Sequence, residues 1–75
     1  VPALEWTQLE QLVDGGCWLP AKATVPPAVS GQQASVGLRN LRTRGLVEYT
    51  QDDETYVGRW QATTAGTALV MEARR

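Results

Sequence analysis

Between Ser30 and Val47 the chain reads SGQQASVGLRNLRTRGLV, and Ala34, Leu38 and Leu41 fall at i, i+4 and i+7. That spacing predicts a helix with one face in the core. Ser30 is its cap, with Gln33 at the capping-box position. Gly45 stands where a helix closes on a residue that accepts positive φ. The remaining face carries Gln32, Gln33, Ser35, Arg39, Asn40 and Thr43, side chains able to hydrogen-bond to something outside the protein.

A second amphipathic pattern runs from Ala3 to Val13. Trp6, Leu9, Leu12 and Val13 share one face, and Glu5, Gln8, Glu10 and Gln11 occupy the others. Thr7 and Glu10 have capping-box spacing, so the regular part starts as late as Thr7 on this reading, and Gly15-Gly16 ends it. Cys17-Trp18-Leu19 is a brief strand or buried connector, with Trp18 in the core. From Pro20 to Val29 two short helices compete. One begins at Pro20 and runs through Val25; the other is capped by Thr24 with Pro26-Pro27 in its first turn.

Two β-branched, aromatic-rich runs follow, Leu46 to Gln51 and Thr55 to Thr63, flanking the polar turn Asp52-Asp53-Glu54. Val47, Tyr49, Tyr56 and Trp60 are the expected cross-strand and core contacts, and Gly58 marks a bulge. A last helix is capped by Thr63 or Thr64, turns Leu69, Val70 and Ala73 inward, and ends on Arg74-Arg75, where positive charge suits a helix C-terminus. The order is helix, short strand, short helix, helix, hairpin, helix: one compact α+β unit spanning residues 1–75.

Composition narrows the chemistry. At 75 residues the core must be small, and with Cys17 alone there is no disulfide to reinforce it; Cys17 is expected as a small buried hydrophobe. No apolar run reaches the length of a membrane span and no leader precedes the first helix, so the chain reads as intracellular and cytoplasmic. Val1 is not an initiator Met; either the Met has been removed or the chain is part of a larger parent protein. With no histidine and one cysteine, a structural zinc site is excluded, and no catalytic metal site or cofactor is expected. No nucleophile stands beside a base and no glycine-rich phosphate loop is present, so the chain is not read as an enzyme. The net charge of −1 conceals an uneven distribution. Arg39, Arg42 and Arg44 are the only charges between Gly31 and Gly45, whereas Asp52-Asp53-Glu54 is wholly acidic. A polyanion would meet one local face.

In order and spacing the chain resembles the winged helix-turn-helix family, in particular the DNA-binding domains of MarR-like and PadR-like bacterial transcription regulators. Leu38-Arg39-Asn40-Leu41-Arg42-Thr43-Arg44-Gly45-Leu46-Val47-Glu48 looks like a recognition helix running into the first wing strand. Trp60-Gln61-Ala62-Thr63-Thr64-Ala65-Gly66-Thr67-Ala68-Leu69 is similar to the second wing strand and the start of the last helix. The resemblance implies a small winged helix-turn-helix with a three-helix core, a β-hairpin wing and a C-terminal helix. Two features depart from the pattern: Pro26-Pro27 falls where the second helix would finish, and the wing tip is acidic.

The function this implies is sequence-specific binding of double-stranded DNA by a transcriptional or mobile-element regulator, cytoplasmic and nucleoid-associated, as a homodimer or within a larger protein. The recognition helix would span about residues 32 to 43. Gln32 and Gln33 suit adenine, Arg39 suits guanine or a phosphate, and Val36 suits a thymine methyl. Ser35, Asn40 and Thr43 complete the outward face, and Arg59 is the basic residue of the hairpin. Arg42 and Arg44 are placed for backbone contacts or protein-facing roles. Trp18 and Trp60 are read as core rather than as a stacking surface, and Trp6 as core or as a contact to a neighbouring subunit or domain. The rival is a winged-helix protein-interaction module that does not bind DNA, favoured by the acidic tip and the double proline.

Overall fold

The computed structural model describes all residues from Val1 to Arg75. Helix α1 (Ala3–Gly15) leads through a 3-10 turn (Ala21–Thr24) into α2 (Gly31–Thr43); strands β1 (Val47–Gln51) and β2 (Gly58–Ala62) form an antiparallel hairpin, and α3 (Thr64–Ala73) closes the chain. Leu9 and Leu12 of α1, Leu38 and Leu41 of α2, Val47 and Trp60 of the hairpin and Val70 of α3 make the core. Trp6 and Leu19 pack against its edge.

Helix α1 starts at Ala3, ahead of the Thr7 start suggested by the capping-box spacing. Pro2 is preset in an extended conformation and its carbonyl accepts from Trp6 N, so the ladder begins there. Thr7 is inside the helix, its hydroxyl donating to Ala3 O at 3.1 Å. The buried stripe also differs from the apolar reading: it runs Glu5, Gln8, Leu9, Leu12, the full i, i+3, i+4, i+7 set with two polar members. Those two face α2 at Gly37, where a Cβ would run into Gln8 Oε1. Gln8 Nε2 donates to Thr24 Oγ1 (3.1 Å) and to Ala34 O (2.9 Å), tying the 3-10 turn and α2 to α1.

Of the two helices weighed between Pro20 and Val29, the one begun by Pro20 forms, as a single 3-10 turn. Pro26 drives Val25 to φ −135°, ψ 158°, which ends it. The capping box of Ser30 and Gln33 is present, with Gln33 N to Ser30 Oγ at 3.1 Å and Ser30 N to Gln33 Oε1 at 3.3 Å. At the other end Gly45 (φ +75°) donates to Arg42 O and Leu46 N donates to Leu41 O, the paired bonds of a Schellman closure.

In the hairpin Tyr49 faces Trp60, with ring centroids 4.7 Å apart. The second strand starts at Gly58 and not at Thr55, because Thr55, Tyr56 and Val57 are spent in the turn. Tyr56 is consequently no cross-strand contact: it sits at φ +57° and is 75% exposed. Gly58 is not a bulge either. It pairs in register with Gln51, and a Cβ there would lie 2.7 Å from the Tyr49 ring. Leu19 adds a single bridge to Trp60, its N–H donating at 2.9 Å and its carbonyl accepting at 2.7 Å. That bridge turns Leu19 inward, leaving Trp18 only half-buried and Cys17 exposed, against the core positions expected for both.

Thr63, not Thr64, caps α3; its hydroxyl accepts from Gly66 N at 3.1 Å and donates to Gly45 O at 2.8 Å. Only Gly66 and Val70 of α3 are buried, so Leu69 and Ala73 correct to exposed positions. Arg74 forks onto Asp14 (2.9 and 3.0 Å) and reaches Glu10 at 3.4 Å, clasping the end of α3 to α1.

Two carboxylates are held below their ordinary range: Asp14 by the hydrogen bond from Arg74, and Asp52 by the amides of Glu54 and Thr55 at 2.8 and 3.3 Å. A depressed folded pKa stabilises above the unfolded value and the stabilisation is lost as pH falls through the folded one. The thermal midpoint should therefore drop as pH falls from about 5 to about 3. The paired substitutions Asp14→Asn and Asp52→Asn should flatten that part of the profile.

Candidate nucleic-acid interface

At about 100° per residue, the side of α2 opposite Ala34, Leu38 and Leu41 is a ridge of Gln32, Val36, Arg39 and Thr43. Val36 is 49% exposed there, an apolar side chain presented outward as expected. The Thr43 hydroxyl bonds back to Arg39 O at 3.0 Å, and Thr43 and Arg39 are both exposed. Gln33 is exposed, but its side-chain oxygen is occupied by the cap. Asn40 turns toward α1 and donates to Glu5 Oε2 at 3.4 Å.

Ser35, Arg39 and Arg42 form the flank of α2 that faces the hairpin. With Lys22, Tyr49 and Trp60 they line a cleft of about 660 Å³ that contains no carboxylate. Arg42 lies over the Tyr49 ring, 5.8 Å from its centroid, and Lys22 Nζ is steadied by Val29 O at 2.7 Å. None of these cations is in a salt bridge; the ion pairs of the molecule belong to Arg74 and Arg75. Lys22 is the residue that the sequence does not assign to this surface; Arg42, expected in backbone contacts or a protein-facing role, stands on it. The signal for Arg42 was present, since 35, 39 and 42 are themselves an i, i+4, i+7 stripe.

Arg59 is set apart from this group. It pairs in register with Thr50, on the face of the hairpin opposite Tyr49 and Trp60, and makes no salt bridge with Glu48 or the tip. The acidic turn is an ordered Asx-type turn, with Asp52 Oδ1 accepting the amides of Glu54 and Thr55.

A helix, turn and helix followed by a hairpin packed on their side and a closing helix is the winged helix-turn-helix fold, and the chain adopts it. Solved structures share it with a TM-score of 0.83. The Staphylococcus aureus MepR-DNA complex is 25% identical, covering 99% of this chain and 62% of the MepR chain. MepR, a transcription regulator of the Staphylococcus aureus multidrug efflux pump MepA, is 22% identical, covering 96% of this chain and 54% of that one. The chain thus spans between 54% and 62% of the structures it matches. No family model matches the sequence, and no curated protein does. No helix is long and apolar enough to cross a membrane.

Proposed function

We propose that this chain binds double-stranded DNA sequence-specifically through α2, as the DNA-contacting part of a transcriptional or mobile-element regulator. The observation that carries the reading is the set of cations without a salt bridge, Lys22, Arg39 and Arg42, gathered beside the exposed ridge of α2 in a cleft free of carboxylates. A major groove admits an α-helix, and phosphates of the flanking strand are met by cations at its side. Gln32, Val36 and Arg39 on the ridge are then the base-facing residues, exposed Asn40 stands beside them at the α1 edge, Ser35 and Thr43 flank them, and Gln33 lies toward α1. Duplex phosphates repel the tip at Asp53 and Glu54, so the hairpin serves through its inner face, and Arg59 is a peripheral contact. Likeness to a regulator solved with DNA supports the same reading. A homodimer or a larger parent protein would complete such a regulator, in a cytoplasmic, nucleoid-associated setting.

The test is a salt titration with a long mixed-sequence duplex. Contact with two or three phosphates should give a slope of log K against log salt of about −2 to −3. No affinity at about 50 mM salt would sink the reading and favour a protein-interaction module.

A further inference from the structure

The flank of α2 away from the hairpin forms a groove of about 420 Å³ with the start of α1, lined by Leu4, Glu5, Gln32, Val36 and Asn40 among others. Beneath Asn40 lies a buried carboxylate: Glu5 is 8% exposed, and its Oε1 has no hydrogen-bond partner. Packing does not explain this choice of residue. A methionine of similar length would fill the space between α1 and α2 without leaving a buried acceptor idle. What Glu5 does provide is its other oxygen, Oε2, which accepts from Asn40 Nδ2.

A carboxylate offers acceptors and no donors, whereas an asparagine amide has one edge of each kind. Beside Glu5, Asn40 must turn its NH₂ inward, and its carbonyl Oδ1 is left facing away from α1. We infer that Glu5 is a positioning residue that selects which edge Asn40 shows to DNA, and so the class of base read at position 40. The inference rests on the DNA binding proposed above. An outward carbonyl accepts from the exocyclic amino groups of adenine (N6) and cytosine (N4) in the major groove. It is repelled by thymine O4 and guanine O6, which are acceptors themselves. Position 40 therefore distinguishes amino from keto bases on one strand. Gln32, with no such restraint, is free to present either edge.

Selection of binding sites from a randomised duplex pool tests this. The wild-type chain should restrict one base-pair position to adenine or cytosine on one strand, by about tenfold or more. Asn40→Ala and Glu5→Met should both relax that same position to within about twofold, and Glu5→Met, which touches no DNA, should keep affinity for non-specific duplex within about twofold. Glu5→Gln, nearly the same size and able to donate, frees Asn40 to flip. The amino-keto preference should then weaken or invert relative to the flanking selected bases. Circular dichroism of Glu5→Gln establishes that the fold is retained should Glu5→Met disturb it. A purine-pyrimidine preference at the position that Asn40→Ala relaxes overturns the inference. So does a selected site unchanged by both Glu5 variants. Either result leaves DNA binding standing, whereas failure of the wild-type chain to bind any duplex overturns the reading and the inference together.

Discussion

Gly66→Ala should destabilise the chain by about 3 kcal/mol or more, although alanine for glycine within a helix is ordinarily worth about 1 kcal/mol of stabilisation. Gly66 is buried in the first turn of α3, and a Cβ built on it meets the carbonyl oxygen of Leu46 and comes within 3.0 Å of Leu9 Cδ1. The first obstacle is backbone that cannot step aside: Leu46 O accepts from Thr63 N at 3.1 Å, and Leu46 N is fixed on Leu41 O at 3.0 Å by the closure of α2. Relief would require α3 to lift away from the base of the hairpin, taking Val70 out of the core. A domain of this size holds about 4 to 11 kcal/mol in total, so the variant should show a denaturation midpoint far below wild type. A midpoint equal to or above wild type would mean that α3 is not seated against Leu46.

Arg39→Ala should weaken binding to the selected duplex by about tenfold to a hundredfold, the range for losing a forked contact to guanine or phosphate. The loss should be larger on the selected site than on random sequence if Arg39 reads a base, and equal on both if it meets a phosphate. Lys22→Gln and Arg42→Gln, in the cleft, should weaken all sequences alike and reduce the salt slope by about 0.9 each. Arg59→Gln, on the far face of the hairpin, should change affinity by less than about threefold. If Arg59→Gln is the most damaging of the four in a duplex titration, DNA lies against the outer face and the cleft is not used.

The fold was readable where local chemistry and the apolar pattern agree. Ser30 with Gln33, the i, i+4, i+7 run of Ala34, Leu38 and Leu41, and the glycine after Arg44 each specify one conformation, and all are found as expected. The strand partners Val47, Tyr49 and Trp60 were legible for the same reason. One group of errors fell where a polar residue does an apolar residue's work. Glu5 and Gln8 read as surface because their side chains are polar, yet they complete the buried stripe of α1 by bonding to α2 and the 3-10 turn. No local signal reveals such a role, because the partners lie 26 and 35 residues away along the chain. The candidate site divides in the same way. The ridge of α2 follows from helical periodicity, whereas the approach of Lys22 and the outward turn of Arg59 depend on tertiary packing and strand register. Tyr56 was misread because the turn needs more residues than its acidic core, and a tyrosine takes up the left-handed position.

The attachment of α2 to α1 has a mechanical consequence. Gln8 holds the Ala34 carbonyl and Glu5 holds the Asn40 amide, two anchorages separated by six residues of helix, about 9 Å along its axis. One anchorage alone would leave a cylinder free to roll. Two on the same side index its rotation, as a keyway indexes a shaft, and thereby determine which side chains stand at the crest. With only one 3-10 turn ahead of α2, that indexing falls to α1. A small roll of α2 would carry Arg39 from the crest toward the hairpin and bring Val36 and Asn40 forward in its place.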